Sequence, residues 1–383
     1  MSAVKEMRFK RIRESVLIFM ETKVITIRQT ADGALSAEEE EALREAGAVM
    51  QSGGLVAFPT ETVYGLGGDA LNKESSRKIY AAKGRPSDNP LIVHIYRFDD
   101  IYEIAGQVPE EAKKIADAFW PGPLTMILPK SDKVPLETTG GLNTVAIRMP
   151  SHPVAQKLIE YSGGYVAAPS ANTSGRPSPT VAKYVEEDMM GKIDVIIDGG
   201  EVGIGLESTI IDLTVSPPQI LRPGYITKEM LSKVLGEVDT DVTILRADSG
   251  QAPKAPGMKY RHYAPKGDLT IVQGSPEDVT AYINDKTAQA QRAGAKVGII
   301  GTEENLSAYH GDVIKSVGHR GDEDSVARHL YTILREFDDE GVTQIYSEGF
   351  ETAGFGQAIM NRLLKAAGHK IVYLDKNSPE ITE

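Results

Sequence analysis

Six polar segments of this chain each follow a short apolar run, and together they hold the side chains best suited to a small anionic ligand. Strand ends are where α/β sheets present ligands. The first segment, PTETVYGLG at 59–67, offers threonine hydroxyls and glycines that let backbone N–H groups approach closely. A tight turn with hydroxyl capping has the same composition. The second sets Lys83 and Arg85 one glycine apart, just after a helical stretch. An Arg fork and a Lys point charge suit phosphate oxygens, although a helix C-terminus favours cations for its own sake. His94 closes the third run, and a lone histidine is more often structural than catalytic. Arg148 interrupts the apolar run of 144–150. A half-buried Arg needs an anion, either a ligand or one of the chain's many acids. The fifth segment, 168–178, is dense in hydroxyl and amide groups such as Ser170, Asn172 and Ser178. These suit phosphate and ribose contacts, or simply an ordinary loop. The sixth comprises Glu207-Ser208-Thr209 and then Leu221-Arg222-Pro223-Gly224.

No segment decides the matter alone. Lys83, Arg85, Arg148 and Arg222 nevertheless occupy loop positions in a chain of net charge −12. Their combination argues for one anionic pocket holding a nucleotide and a carboxylate substrate. The residues by themselves do not name a reaction. Several classes lose their usual support: there is no P-loop, no G-x-G-x-x-G, no G-x-S-x-G and no zinc-spaced histidine set. With no cysteine, a thiol nucleophile and a disulfide framework are excluded. The acidic total is unfavourable for general nucleic-acid binding, and no apolar run reaches the ~20 residues of a membrane span.

The elements that must position these segments divide the 383 residues in two. Residues 1–22 read as an extension, with Met20 a candidate start and no signal-peptide cleavage pattern. Residues 23–236 mix strands at 24–27, 55–58, 91–95, 124–128, 145–147, 165–168, 195–197, 209–211 and 219–221 with helices at 38–50, 75–82, 109–119, 153–160 and 181–189. That mixture predicts an α/β or α+β unit. Residues 237–266 form a linker whose Pro, Gly and Ala content fits a tether. Its Lys259-Tyr260-Arg261-His262-Tyr263 run is more than a spacer requires. From 267 to 383, regular strand–helix alternation predicts a small, Rossmann-like three-layer parallel sheet.

The polar segments keep the order and spacing of a known family. PTETVYGLG, KGRPSDNPL, FWPGPLT, TVAIRMP, APSANTSGRPSPT, ESTIIDL and LRPG resemble the YrdC-domain family, the threonylcarbamoyl-AMP synthases. APGMKYRHYAP and the tail look like those of its longer, two-domain members with a C-terminal Sua-type domain. The resemblance implies a twisted, mostly parallel open sheet around a positive cavity, in a cytoplasmic enzyme. It implies that threonine and bicarbonate or CO₂ form a carbamate that attacks the α-phosphate of ATP. The adenylate would pass to a tRNA threonylcarbamoyl transferase complex, for tRNAs reading codons that begin with A. By motif match, Thr62, Tyr64, His94, Arg148, Ala168 and Ser208 would hold threonine and the nascent carbamate. Lys83, Arg85, Asn89, Thr144, Ser170, Asn172, Ser178 and Arg222 would hold ATP, with Lys83 and Arg85 catalytic. Tyr260 or Tyr263 of the linker would touch the nucleotide. Mg²⁺ would arrive with ATP, without protein side chains as ligands. Weak tRNA contact is compatible with this reading. Two other classes remain in view: an RNA-binding module, and a carbamoyl-transfer component like the YrdC-type segment of hydrogenase-maturation proteins.

Overall fold

In a computed structural model of the chain, residues 20–28, 35–241 and 262–374 are described. Residues 1–19 and most of the linker, Tyr260 included, lie outside them. Thr22 is already tied into the fold, donating to Ile193 O at 2.6 Å and accepting from Gly191 N at 2.9 Å.

Among the described residues, eleven strands form one sheet. In spatial order they are Lys23–Thr26, Val195–Asp198, Val56–Phe58, Gly65–Asp69, Val166–Ala167, Ile92–His94, Thr144–Arg148, Leu124–Pro129, Thr209–Asp212, Gln219–Arg222 and Asp239–Thr240. Five more strands form a second sheet in the order Val313–Ser316, Val297–Gly301, Gln344–Glu348, Asp268–Gln273, Ile371–Tyr373. Every pairing in the second sheet is parallel, which is the layout strand–helix alternation requires. Over both sheets, nine of the fourteen pairings are parallel, and the five antiparallel ones all lie in the first.

Local signals explain most elements. Ser36 accepts from the Glu39 backbone while the Glu39 carboxylate accepts from Ser36, a capping box that starts the helix Ala37–Gln51. Leu43, Ala46 and Met50 bury its inner face. The segment after Pro59 differs from its reading as a loop, because Gly65–Asp69 continues as a strand. Glycines carry no side-chain alternation to reveal it. A Cβ on Gly67 would lie 2.8 Å from both Phe58 and Val166, so only glycine fits this covered strand. The helix Lys228–Leu235 and the edge strands Val313–Ser316 and Ile371–Tyr373 were also not legible as periodic runs.

The two sheets do not have separate interiors. Val63, Leu206 and Tyr263 belong to the same apolar cluster as Leu330, Tyr331, Leu334 and Leu363 of the C-terminal unit. The helix Glu323–Asp339 passes so close to Gly205 that a Cβ there would sit 2.5 Å from the Arg328 Cα. With φ at 87°, Gly205 has two reasons to be glycine.

Candidate active site

One cavity collects the ends of elements scattered through the first sheet. The strands Ile92–His94 and Thr144–Arg148 pair in parallel with His94 opposite Arg148, so both side chains reach the same edge. The helix Lys73–Lys83 ends at Gly84, left-handed at φ 61°, which turns the chain from Lys83 to Arg85. Gln219–Arg222 brings Arg222 to the same place. Lys83, Arg85, Arg148 and Arg222 all line this cavity. So do Tyr64, His94 and Ala168, as well as Ser170, Asn172, Ser178 and Tyr263.

Four of the residues singled out by sequence lie behind the lining rather than in it. Thr62 shares a hydrogen bond of 2.9 Å with Thr60, which does line the cavity. Asn89 offers its carbonyl to Arg85 from both Nε at 3.3 Å and Nη2 at 3.2 Å. Ser208 accepts from Arg222 through its carbonyl at 2.9 Å and through its hydroxyl at 3.1 Å. Thr144 opens the strand whose other end is Arg148, roughly 13 Å away at the usual rise per residue. Thr62, Asn89 and Ser208 therefore position the residues that face the cavity.

The cations are held mainly by backbone oxygens. Lys83 Nζ donates to the Ser170 carbonyl and, at 2.5 Å, to the Asn172 carbonyl. Arg85 donates to Pro90 O at 3.0 Å. Burial, reinforced by the neighbouring Arg85, pushes Lys83 well below its ordinary pKa. Burial likewise brings Arg85 and Arg222 down to about 10. Carbonyl dipoles orient these side chains without cancelling their charge, and an anion in the cavity would meet that charge at close range. Arg148 differs, since Glu61 Oε1 lies 2.8 Å from its Nη2. The acid that a half-buried Arg calls for is thus present, and of the pair Arg148 is the one that lines the cavity.

The uncharged groups are equally constrained. His94 Nδ1 lies 3.1 Å from Ile92 O, and burial followed by Arg148 pushes its pKa to about 3, so it is neutral at physiological pH. Tyr64 donates to Gly200 O at 2.7 Å and accepts from Gly199 N at 3.2 Å, and burial raises its pKa. Tyr263 sits at φ 63° and stacks on Tyr331 with centroids 5.2 Å apart. His262 beside it lines the cavity too, its pKa pushed to about 3 by burial and then by Arg85. The described end of the linker therefore roofs the cavity.

Sequence reasoning assigned no role to Glu207, the carboxylate in this lining. Burial would raise its pKa, but Arg362, Arg222 and Ser178 bring it down to about 2. An acid beside Ser208 in an otherwise cationic set was the available signal. Asn361 and Arg362, on the helix Gly356–Ala366, are also buried, and no sequence signal marked them. Among the described residues, no three His, Asp or Glu side chains are grouped to hold a metal ion.

Comparison with known proteins finds likeness over most of the chain. Residues 48–224 match the profile of a family described as telomere recombination, and residues 226–368 match that of the threonylcarbamoyl-AMP synthase C-terminal domain. The chain is 50% identical to the threonylcarbamoyl-AMP synthase of Pyrococcus abyssi over 334 residues, covering 87% of this chain and 96% of that one. It is 48% identical to that of Bacillus subtilis over 331 residues, covering 86% and 94%. Its fold is similar to the crystal structure of P. abyssi Sua5 complexed with L-threonine, with a TM-score of 0.87 and 46% identity over 92% of this chain and 100% of that one. Likeness of this degree, in both halves, makes this chain a member of the threonylcarbamoyl-AMP synthase family, enzymes of the nucleotidyltransferase type that serve tRNA modification.

Proposed function

We propose that the cavity binds threonine and ATP side by side and joins them, with bicarbonate or CO₂, into threonylcarbamoyl-AMP and pyrophosphate. The observation that carries this reading is the convergence of Lys83, Arg85, Arg148 and Arg222 on one buried cavity. The P. abyssi structure that contains L-threonine supports threonine as the amino acid.

The threonine nitrogen bonds to the carbon of CO₂ and gives its proton to water; starting from bicarbonate, a C–O bond of bicarbonate breaks and that oxygen leaves as water with the proton from nitrogen, and either route gives the carbamate. A carbamate oxygen then bonds to the α-phosphorus, and the bond to the leaving pyrophosphate breaks. In-line transfer of this kind needs alignment and charge neutralisation more than covalent help. Lys83, Arg85 and Arg222 supply the neutralisation for the phosphates. Arg148 holds the threonine carboxylate, in competition with Glu61. His94 and Tyr64, both uncharged, shape the threonine end, with Ala168 beside them. Ser170, Asn172 and Ser178 fix the loop that meets the nucleotide, and Tyr263 covers it. Mg²⁺ enters as part of the ATP substrate, because Glu207 is committed to Ser178, Tyr331 and Arg362. The adenylate then goes to a cytoplasmic tRNA threonylcarbamoyl transferase complex for tRNAs that read codons beginning with A.

Pyrophosphate release from ATP, with RNA left out, tests the reading. It is expected to require both threonine and bicarbonate. Release that ignores threonine would leave a plain ATP hydrolase, and release that needs tRNA would favour an RNA-directed activity.

A further inference from the structure

The C-terminal unit meets the cavity wall with buried charge as well as apolar surface. Arg362 is fully buried, donating from Nε to Glu207 Oε2 at 2.9 Å and from Nη1 to Pro223 O at 2.9 Å. Tyr331 OH donates to Glu207 Oε2 at 3.0 Å. Ser178 Oγ donates to Glu207 Oε1 at 2.6 Å. One carboxylate therefore ties together the loop carrying Ser178, the turn next to Arg222 and two helices of the C-terminal unit. The Tyr331 ring stacks on Tyr263, and the Arg362 guanidinium lies over the same tyrosine ring at 5.9 Å.

A carboxylate on the wall of a triphosphate site works against the ligand unless its charge is cancelled and its direction fixed. Arg362 does the first, and the Tyr331 and Ser178 hydroxyls do the second. An ion pair that served only to glue the two units together would not need to face the cavity.

We propose that Arg362 and Tyr331 are positioning residues of the nucleotide site, acting from the C-terminal unit by neutralising and orienting Glu207. Removing Arg362 leaves a bare negative charge beside the phosphates and frees the Pro223 turn next to Arg222. The threonine end, at His94 and Arg148, is not touched by this network. The proposal rests on the reading of the cavity as an ATP site.

Separate KM values for ATP and threonine, read from pyrophosphate release by the full chain, test it. Arg362→Met is expected to raise the ATP KM at least tenfold, with the threonine KM within about twofold. Tyr331→Phe moves the same constant about threefold. Adding Glu207→Gln to Arg362→Met removes the exposed charge and restores most of the ATP KM, a non-additivity that simple structural damage does not give. If Arg362→Met does not fold, Arg362→Lys keeps the charge, and its ATP KM is expected within about threefold of the parent. Equal rises in both KM values, or a further loss on adding Glu207→Gln, overturns the proposal while leaving the ATP site in place. A parent protein without saturable ATP dependence removes the ATP reading and the proposal with it.

Discussion

Two sets of buried cations in this molecule are held in opposite ways. Lys83 and Arg85 rest on the carbonyls of residues 89, 90, 170 and 172, which orient but do not neutralise them. Arg335 and Arg362 sit at the boundary with the C-terminal unit, each against a carboxylate: Asp188 at 2.6 Å and Glu207 at 2.9 Å. The first arrangement keeps positive charge in reserve for an anionic substrate, at a cost in desolvation. The second spends its charge inside the protein and fixes geometry. The two sets do different work, and for these four cations the local partners show which kind each is.

The largest effect should come from the reserve. Lys83→Ala or Arg85→Ala is expected to cut pyrophosphate release by at least about a hundredfold, the loss typical of one transition-state charge contact. Thermal unfolding should stay near that of the parent. Near-normal turnover in both variants would erase the distinction drawn above.

In the second set, Arg335, whose partners do not line the cavity, should answer in stability instead. Arg335→Ala leaves the buried Asp188 carboxylate to Arg176 and the Thr173 N–H alone, Pro177 O loses donors at 2.7 and 3.0 Å, and about 1.5–3 kcal/mol of unfolding free energy should go. Denaturant titration measures it. A loss under about 1 kcal/mol would mean that the boundary arginines are not structural in this sense.

A fragment ending at Gly236 sharpens the same contrast. It keeps the whole lining except His262 and Tyr263 but exposes Val63 and Leu206, which are buried against the C-terminal unit. Such a fragment should remain folded by circular dichroism while losing most of its turnover. Full activity would reduce the second unit to a tether.

The smallest effect is a proton. Burial holds Lys83 below its ordinary pKa in the free protein, and phosphate oxygens favour its charged form. ATP binding should therefore take up protons, and affinity should weaken as pH rises from the lowered free-state pKa toward that of the bound state. Calorimetry in buffers of different ionisation enthalpy reads this directly. Proton release on binding would carry the wrong sign.

The sequence exposes the two sets unequally. Lys83, Arg85, Arg148 and Arg222 were visible because a cation beside glycine, or inside an apolar strand, is out of place in an acidic chain. The strands that position His94 and Arg148 were visible as apolar runs. Gly65–Asp69 was not, because its covered face requires residues without side chains. Thr62, Asn89 and Ser208 carry the family motif, yet they stand one layer behind the lining, a distinction that spacing along the chain does not encode. Arg335 and Arg362 look from sequence like ordinary helix cations. Only the fold, which sets their partners 147 and 155 residues away, shows what they hold.

The most direct test of two substrates sharing one cationic cavity is a structure of the full chain with threonine and a non-hydrolysable ATP analogue. The triphosphate should lie against Lys83, Arg85 and Arg222, with the threonine carboxylate at Arg148 and the Tyr263 end of the linker above the nucleotide. A nucleotide bound outside this cavity, or a threonine remote from Arg148, would contradict it.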